Sequence, residues 1–331
     1  MAELKQMTII SIGELEDQLG VSKLPRFVEA CESGFQKRIH QIADQVLADR
    51  QIRAIFVSGP TASGKTTFAS RLSRLLTEEG RPARQISLDD YYHVTAGIYD
   101  EKGRPDFESI STLDTAQMVV DFSGLLSGQP IQLPSFDFLK RQRFYQPENR
   151  LRLQKNELIV VEGLHGLSDL VAGQLPREQY LGIFIMPWCT LLDGRQLLGS
   201  RDLRILRRIA RDVQHRGSTA LSTLDYWPMI DRTEQQFFPT YLAHADEYVN
   251  SCLPYEFCVI APLTAQHLAR SLEQYEMGSL PGSVYRHDQQ GYADLPAAVA
   301  EARDLLRDCA RIPATDRTIV PPLSILNEFI H

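Results

Sequence analysis

Residues 59–66 read Gly-Pro-Thr-Ala-Ser-Gly-Lys-Thr, a spacing of glycine, lysine and hydroxyl residues that is typical of a phosphate-binding loop. Gly59 and Gly64 can take backbone conformations that turn consecutive N–H groups towards phosphate oxygens. Lys65 adds a mobile positive charge for the β- and γ-phosphates, and the Thr66 hydroxyl suits a Mg²⁺ ion. The loop therefore predicts nucleotide phosphate chemistry.

The segments on either side of this loop predict the elements that must hold it. Residues 54–58 are apolar and β-prone, and residues 67–76 place Phe68 and Leu72 at helical spacing, with Gly80 as a stop. A strand would thus lead into the loop and a helix would leave it. The phosphates would then lie at the positive end of the helix dipole.

Two acids follow strand-like runs and are candidates for the chemistry. Glu162 comes directly after the apolar residues 158–161, where it could hold Mg²⁺ directly or through water. Asp89 is the first residue after 85–88 and is predicted to take a proton from an acceptor hydroxyl, whereas Asp90 better suits a cap of the next turn. Residues 118–124 resemble a metal-binding strand end, but their apolar spacing predicts a helix.

An arginine-rich segment supplies positive charge. Residues 201–217 predict a helix with apolar residues on one side and Arg201, Arg204, Arg207, Arg208 and Arg211 on the other. One interpretation is a lid that clamps nucleotide phosphates, and the other is a solvated helix face.

Strand-like and helix-like segments alternate from residue 52 onwards. Such alternation predicts an α/β fold with a doubly wound parallel sheet, whose ligands bind at the carboxyl ends of the strands. Polar segments 97–112 and 133–150 are interpreted as loops over the substrate.

The predicted strands are 53–58, 84–88, 157–161, 181–186 and 256–260. The predicted units are a helical N-terminal extension (1–50), a P-loop domain (51–265), and a C-terminal helical segment with a tail (266–331), including a helix near 295–309.

The bulk composition limits the classes of function. The net charge of −7 argues against general binding to nucleic acid or to a membrane surface. The five cysteines include no C-x-x-C pair, which argues against a disulfide frame or a zinc site. With no leader pattern and no apolar run near the ~20 residues that span a bilayer, we expect a cytoplasmic protein.

Six motifs in order resemble the uridine kinase family of P-loop kinases. They are G-P-T-A-S-G-K-T-T at 59–67, S-L-D-D-Y-Y at 87–92, D-F-E at 106–108, P-S-F-D-F at 134–138, V-V-E-G-L-H at 160–165 and R-x-x-R-R-x-x-R-D-x-x-x-R-G at 204–217. Further matches at 237–241, 245–251, 255–257 and 321–330 resemble a bacterial branch of the family. In that branch the kinase domain often follows a region similar to threonyl-tRNA synthetase, for which this sequence shows only the helical lead-in.

The resemblance implies ATP and Mg²⁺ as cofactors and assigns roles to residues. Asp89 would act on a ribose 5′-hydroxyl, with Lys65, Arg208 and Arg211 as its catalytic partners. Residues implied in nucleotide binding are Gly59, Pro60, Thr61, Ala62, Ser63, Gly64, Lys65, Thr66, Thr67, Arg204 and Arg208. Those implied around the metal are Thr66, Asp89 and Glu162. Those implied at the acceptor are Asp89, Tyr92, Glu108, Phe136, Arg141 and Arg211, with Arg216 at the lid or its hinge.

Three positions depart from the family pattern. Glu108 stands where the family has Asp, Phe136 where it has Tyr, and Arg141 near its His. Phe136 can stack but cannot donate a hydrogen bond, and Arg141 only donates. The leading hypothesis is phosphorylation of the 5′-hydroxyl of uridine or cytidine. The resemblance also implies a small-molecule, nucleoside-like substrate, and the family's habit of forming dimers or tetramers favours a homo-oligomer.

Other acceptors and another class of function stay open. The acceptor could be a purine nucleoside, a sugar, a sugar phosphate or a pantothenate-like alcohol. Lys140, Arg141 and Arg143 could meet an anionic acceptor, cover ATP phosphates or face solvent. A non-catalytic nucleotide sensor is a further alternative, whereas the lack of an Asn/Thr-Lys-x-Asp motif argues against a switch GTPase.

Overall fold

The computed structural model describes residues 7–93, 98–137, 140, 142–286 and 291–331. Its strands are β1 (Thr8–Ser11), β2 (Ala54–Ser58), β3 (Ala83–Ser87), β4 (Ile131–Asp137), β5 (Gln142–Leu151), β6 (Leu158–Glu162), β7 (Tyr180–Met186), β8 (Cys189–Asp193), β9 (Arg195–Gly199) and β10 (Glu247–Asn250). Its α-helices are α1 (Ile12–Gln18), α2 (Leu24–Ala48), α3 (Lys65–Glu78), α4 (Thr115–Leu126), α5 (Ser200–His215), α6 (Ala220–His244), α7 (Phe257–Glu276), α8 (Leu295–Cys309) and α9 (Asn327–Ile330).

A parallel sheet of five strands forms the centre of the fold, in the order β10-β7-β2-β6-β3. The predicted doubly wound parallel sheet is confirmed. β2 and β6 are buried at every residue, because helices cover both faces of the sheet and leave no polar side. The registers bring Val57 of β2 and Ser87 of β3 level with Glu162 of β6. The carboxyl ends of these three strands therefore form a common edge for a site.

The fifth predicted strand is wrong, because residues 256–260 are helical. A 3₁₀ turn at Pro254–Glu256 leads into α7, and the last strand of the sheet is β10 instead. Residues 257–261 are all buried. A helix packed on every side has the same short apolar run as a buried strand, so periodicity cannot separate the two.

The segment 133–150 is also not an irregular loop, contrary to the prediction. β4 and β5 form an antiparallel hairpin across it, with Phe136 paired to Arg143. The hairpin approaches the sheet beside the turn that follows β3, since the Phe136 amide donates to a carboxylate oxygen of Asp90 at 3.0 Å. Asp90 therefore positions the hairpin.

Residues 118–126 are helical, as predicted, within α4.

The N-terminal segment packs on the same core as the sheet. Residues 1–50 are predicted to be a helical extension, and α2 forms a long helix within it, from Leu24 to Ala48. α2 lies against α3, where the rings of Phe35 and Phe68 meet edge to face at 6.3 Å. β1 adds in parallel to β8 in a second sheet of order β1-β8-β9, which the sequence analysis does not predict.

The C-terminal segment completes the core. The helix predicted near 295–309 is confirmed as α8, and the predicted boundary between residues 265 and 266 lies inside α7. Beyond α8 the chain returns towards the sheet and ends in α9. Ile325, which precedes α9, and Phe329 and Ile330 within it are fully buried. Within the part of the chain that the structure describes, no helix is long and apolar enough to cross a membrane.

Candidate active site

The phosphate loop turns sharply between β2 and α3, and its glycines are required by the packing. A Cβ added to Gly59 would lie 2.1 Å from the Ile185 carbonyl oxygen, so only glycine fits beside β7. Gly64 has a φ of 86° and Ala62 a φ of 57°, both in the left-handed region. The loop therefore takes the curled conformation that turns backbone N–H groups towards one centre.

The polar groups of the loop are consistent with an anion site. The Lys65 ammonium group donates to the Pro60 carbonyl oxygen at 2.9 Å, which folds its side chain back over the loop. The Ser63 hydroxyl is buried and has no hydrogen-bond partner among the described residues. Thr66 and Thr67 lie in the first turn of α3, whose N–H groups have no acceptor within the helix. Phosphate oxygens would satisfy these donors.

Glu162 lies beside the loop at the level fixed by the sheet register. Its Oε1 atom accepts from the Thr66 hydroxyl at 3.3 Å and from the Ser87 hydroxyl at 2.7 Å. The side chain is almost completely buried, and burial together with the negative charge of Asp89 raises the pKa of Glu162 to about 7. The three predicted metal-binding positions, Thr66, Asp89 and Glu162, are thus neighbours.

Asp89 lies in a 3₁₀ turn, Leu88–Tyr91, that follows β3 directly. The Ser87 hydroxyl accepts from the Asp89 amide at 3.3 Å and so caps this turn. Burial raises the pKa of Asp89, and the positive charge of Lys65 opposes that shift. Asp89 therefore shares one electrostatic environment with the phosphate loop and with Glu162, as the sequence predicts.

These residues fit Mg²⁺ with few ligands from the protein. Hydroxyl and carboxylate oxygens are its preferred donors, and Mg²⁺ usually keeps several waters and phosphate oxygens. Across the described residues no group of three or more His, Cys, Asp and Glu forms a ready metal cage. Thr66, Asp89 and Glu162 would therefore hold the ion only together with bound phosphates.

Two arginines of α5 support the loop from outside. Arg204 donates to both carboxylate oxygens of Glu234 and, at 3.0 Å, to the Thr61 carbonyl oxygen. Arg207 donates to both oxygens of Glu256 at 2.7 and 2.8 Å and to the Ala62 carbonyl oxygen at 3.2 Å. Both guanidinium groups are buried, so the alternative of a solvated arginine face is wrong here. The role of Arg204 in nucleotide binding stays a prediction.

Arg208 connects the loop to the predicted acceptor side. Its Nη1 atom donates to the Thr61 hydroxyl at 2.9 Å and to Glu108 Oε1 at 3.2 Å. Its Nη2 atom donates to the Tyr285 hydroxyl at 3.2 Å, and that hydroxyl donates to Asp212 at 2.9 Å. Tyr285 also stacks on Tyr226, with ring centroids 4.2 Å apart.

Arg211 and Arg216 gather around Asp212, which Arg208 also approaches. Arg211 contacts Asp212 Oδ1 at 2.8 Å and Arg216 contacts the same atom at 3.6 Å. Burial alone would raise the pKa of Asp212, but its arginine neighbours hold it well below the ordinary range. The charge of Arg211 and burial lower the pKa of Arg216, which shows crowding of positive charge. Anionic ligands would relieve that crowding.

The acceptor side is formed by aromatic rings and by Glu108. The rings of Tyr92 and Phe136 lie 5.8 Å apart in a tilted arrangement. Burial and the negative charges of Asp89 and Glu108 raise the pKa of Tyr92. Arg141 lies outside the described residues.

His165 fixes the segment that carries Glu108. Its Nε2 atom lies 2.8 Å from the Glu108 carbonyl oxygen, and its Nδ1 atom lies 2.7 Å from the Tyr241 hydroxyl. Burial lowers the pKa of His165 to about 4, so the ring is neutral near pH 7. Because a carbonyl only accepts, Nε2 carries the proton and Nδ1 accepts from Tyr241.

Arg143 does not extend free donors towards an acceptor. It donates to Asp114 at 2.9 Å and to the carbonyl oxygens of Tyr91 and Tyr92 at 3.1 and 3.2 Å. It therefore holds the turn that carries Asp89, a role that the sequence analysis does not foresee. Lys140 is exposed and lies 3.8 Å from Asp137.

Several residues of the site escape the sequence analysis. Ser87 and His165 fall inside quoted motifs, at a strand end and after Glu162, so the motifs could have indicated them. Tyr285 and Glu328 lie far from the loop in sequence, and neither has a local signal of contact with the site. Glu328 accepts from the Thr67 hydroxyl at 2.8 Å.

The fold and this site together define a P-loop kinase. A family model described as the Phosphoribulokinase / Uridine kinase family matches residues 54–251, which is more than half of the chain. The chain belongs to this family.

Similar proteins carry the name uridine kinase. One from Halobacterium salinarum is 29% identical over 195 residues, which cover 58% of this chain and 77% of that protein. One from Clostridium perfringens is 30% identical over 190 residues, covering 56% of this chain and 81% of that protein. Among solved structures, a possible uridine kinase from Bacillus stearothermophilus matches with a TM-score of 0.44 and 19% identity, over 64% of this chain and 97% of that one.

Proposed function

We propose that this kinase transfers the γ-phosphoryl group of ATP to the 5′-hydroxyl of a ribonucleoside, with uridine or cytidine as the first candidates. The observation that carries the proposal is the position of Asp89. Asp89 lies in the turn that directly follows β3, at the sheet edge where Glu162 ends β6, and the charges of Lys65 and Glu108 act on its carboxylate. The relatives named uridine kinase support a nucleoside as the acceptor.

The residues divide into three roles in this proposal. The first turn of α3 and Lys65 bind phosphates, and Mg²⁺ held near Thr66 and Glu162 would neutralise charge on them when bound. Asp89 accepts the proton of the attacking hydroxyl, a task for which a burial-raised pKa is suited. Arg208 and Arg211 place positive charge over the transferred group.

Glu108 and the aromatic pair Tyr92 and Phe136 would select the acceptor. A carboxylate is suited to accept from two neighbouring ribose hydroxyls, and His165 holds the Glu108 backbone in place for that contact. The tilted rings offer a surface on which a flat base can stack. Phe136 offers no donor to the base, so we expect stacking and the ribose contact to outweigh recognition of the base edge.

A sugar phosphate as the acceptor has less support. The positive cluster that favours it in the sequence includes Arg143, whose donors are engaged by Asp114 and two backbone carbonyls. An acceptor phosphate would have to displace these contacts. A neutral nucleoside requires no such change.

The test is Mg²⁺-dependent ADP release with a panel of nucleosides, sugars and sugar phosphates, comparing the natural protein with Asp89→Asn. We expect a nucleoside to stimulate turnover and Asp89→Asn to lower kcat by at least ~100-fold, the scale of a lost general base. Asp90→Asn is the matched control, because an asparagine there keeps an oxygen for the Phe136 amide. It should retain most of the activity.

Other outcomes decide against parts of the proposal. If only a phosphorylated sugar or a non-nucleoside alcohol stimulates ADP release, the protein is a kinase but its acceptor is not a nucleoside. Equal loss in both variants would mean that Asp89 has no special role. Tight ATP binding with no turnover across the panel would favour the nucleotide sensor.

A further inference from the structure

The C-terminal end of the chain lies against the phosphate loop. Glu328 accepts from the Thr67 hydroxyl at 2.8 Å and from the Thr67 amide at 3.3 Å. A Cβ on Gly64 would lie 2.3 Å from a terminal methyl group of Ile325, so that side chain covers the last glycine of the loop. A carboxylate of the chain itself thus occupies part of the phosphate-binding turn.

The Thr67 amide belongs to the donors that an anion would use. It lies in the first turn of α3, where the first hydrogen bond within the helix comes from the next residue, Phe68, to Gly64. The Thr67 N–H therefore has no acceptor in its own helix. At this end of a helix the dipole favours negative charge, and a carboxylate and a phosphate use the same donors.

The charge of Glu328 also reaches the rest of the site. Its negative charge helps to raise the pKa of Glu162, although burial and the charge of Asp89 have larger effects. It also favours the charged form of Arg211. A phosphate at Thr67 would thus meet a negative charge at contact distance and would compete for the same positive surroundings. Two anions that share one set of donors repel each other unless one is displaced.

The segment around Glu328 is fixed by contacts that do not involve its carboxylate. Phe329 is fully buried, with the Arg207 guanidinium 4.9 Å above its ring. The backbone oxygen of His331 contacts His215 of α5, and the Ser324 hydroxyl lies 3.2 Å from that of Tyr255. The Glu328 carboxylate can therefore leave Thr67 by rotation of its own side chain, while the buried residues keep α9 in place.

We propose that the phosphate site has an internal ligand, the Glu328 carboxylate, which competes with nucleotide phosphates for Thr67 and lowers the affinity of the site for them. This inference rests on the proposed function only in that nucleotide phosphates bind at this loop. It requires no particular acceptor. Glu328 is released when nucleotide binds and returns when nucleotide leaves.

The test measures ligand affinity directly, by isothermal titration of the full chain with ADP and, separately, with inorganic tripolyphosphate, both without Mg²⁺. The variant is Glu328→Gln, which keeps the size of the side chain and removes its charge. We expect the Kd for both ligands to fall by about three- to tenfold, the scale of one hydrogen-bonded competitor. Glu328→Ala should change both constants in the same direction.

The matched control is Glu276→Gln, which alters an exposed carboxylate paired with Arg303 on the surface. It should leave both Kd values unchanged. Thermal unfolding without ligand checks that each variant is folded, and Glu328→Ala provides a second measurement if Glu328→Gln proves unstable.

The sign of the change decides the inference. Weaker binding in the Glu328 variants would show that the carboxylate assists nucleotide binding, and unchanged binding would show that it only caps the helix; either result overturns the proposal. If the Kd changes for ADP but not for tripolyphosphate, Glu328 does not compete with the phosphate groups, and this result would also overturn the proposal. Because no acceptor is present, a chain that fails to phosphorylate nucleosides can still give the expected result.

Discussion

Four arginines of α5 and its C-cap residue Arg216 form two groups that differ in how their charge is balanced. In the first group, Arg204 and Arg207 each face a glutamate of their own, with both of its carboxylate oxygens engaged. In the second group, Arg208, Arg211 and Arg216 all approach Asp212. The first group is therefore balanced within the protein, whereas the second has three arginines against Asp212 and Glu108, which leaves positive charge in excess.

The two groups therefore have different roles: one supports the phosphate loop and the other supplies charge for phosphoryl transfer. The balanced pair donates to the backbone of Thr61 and Ala62 and so fixes the shape of the phosphate loop. The crowded group holds the charge that a transferred phosphoryl group would need. We expect the first group to act on stability and the second on turnover, and three substitutions test this division.

The largest effect is expected for Arg207→Met. It would leave the buried Glu256 carboxylate without its partner, and breaking one side of such a pair costs about 3–5 kcal/mol of unfolding free energy. Urea unfolding measures the change. Arg201→Met is the matched control on the same helix, since its pairs with Asp231 and Glu301 are partly exposed. It should lose less than about 1 kcal/mol. Equal losses in the two variants would contradict the assignment of Arg207 to support.

Arg211→Met should produce the next largest effect, and on a different quantity. We expect kcat to fall by about 100-fold, the scale of one lost electrostatic contact in a transition state. The unfolding free energy should change little, because Arg208 and Arg216 still face Asp212. Steady-state kinetics with the acceptor found in the panel, together with urea unfolding, measure the two quantities. An Arg211→Met variant with a lower unfolding free energy but an unchanged kcat would contradict the assignment of Arg211 to turnover.

The smallest effect is expected for Tyr285→Phe, which tests how Arg208 is held. The lost hydroxyl accepts from Arg208 and donates to Asp212, so its removal should lower kcat/KM by about tenfold, the lower end of the scale for a hydrogen bond to a charged group. Tyr275→Phe, at a partly exposed ring of α7, is the control and should have no effect. Kinetics unchanged by Tyr285→Phe would show that Arg208 needs no help from this hydroxyl.

The sequence predicts the parts of the site that depend on local pattern. The glycines and Lys65 identify the loop. A continuous apolar run, typical of a buried parallel strand, places Glu162 at a strand end, and the strand-like run 85–88 places Asp89 directly after another strand. These positions agree with the observed elements. The acids meet because parallel strands end at one edge, which is a rule of topology and needs no knowledge of side-chain contacts.

The rest depends on contacts that no local pattern records. Arg207 and Arg208 are adjacent and carry the same charge, yet one pairs with Glu256 and the other with Glu108. Glu256 lies in the turn that leads into α7, and Glu108 lies in the segment before α4. The packing of these segments decides which carboxylate each arginine contacts, and helical spacing alone cannot show it. The error at residues 256–260 has a similar cause, since a short apolar run is compatible with both a strand and a buried helix.

The contact between Glu328 and Thr67 joins residues that are 261 positions apart. Closing so long a loop requires that every residue up to Glu328 has been made, and contacts of long sequence separation form late in folding. The phosphate loop and α3 are synthesised hundreds of residues earlier. During synthesis, the donors at Thr67 therefore exist for a period before their internal partner does, and in that period only a ligand from solution can satisfy them.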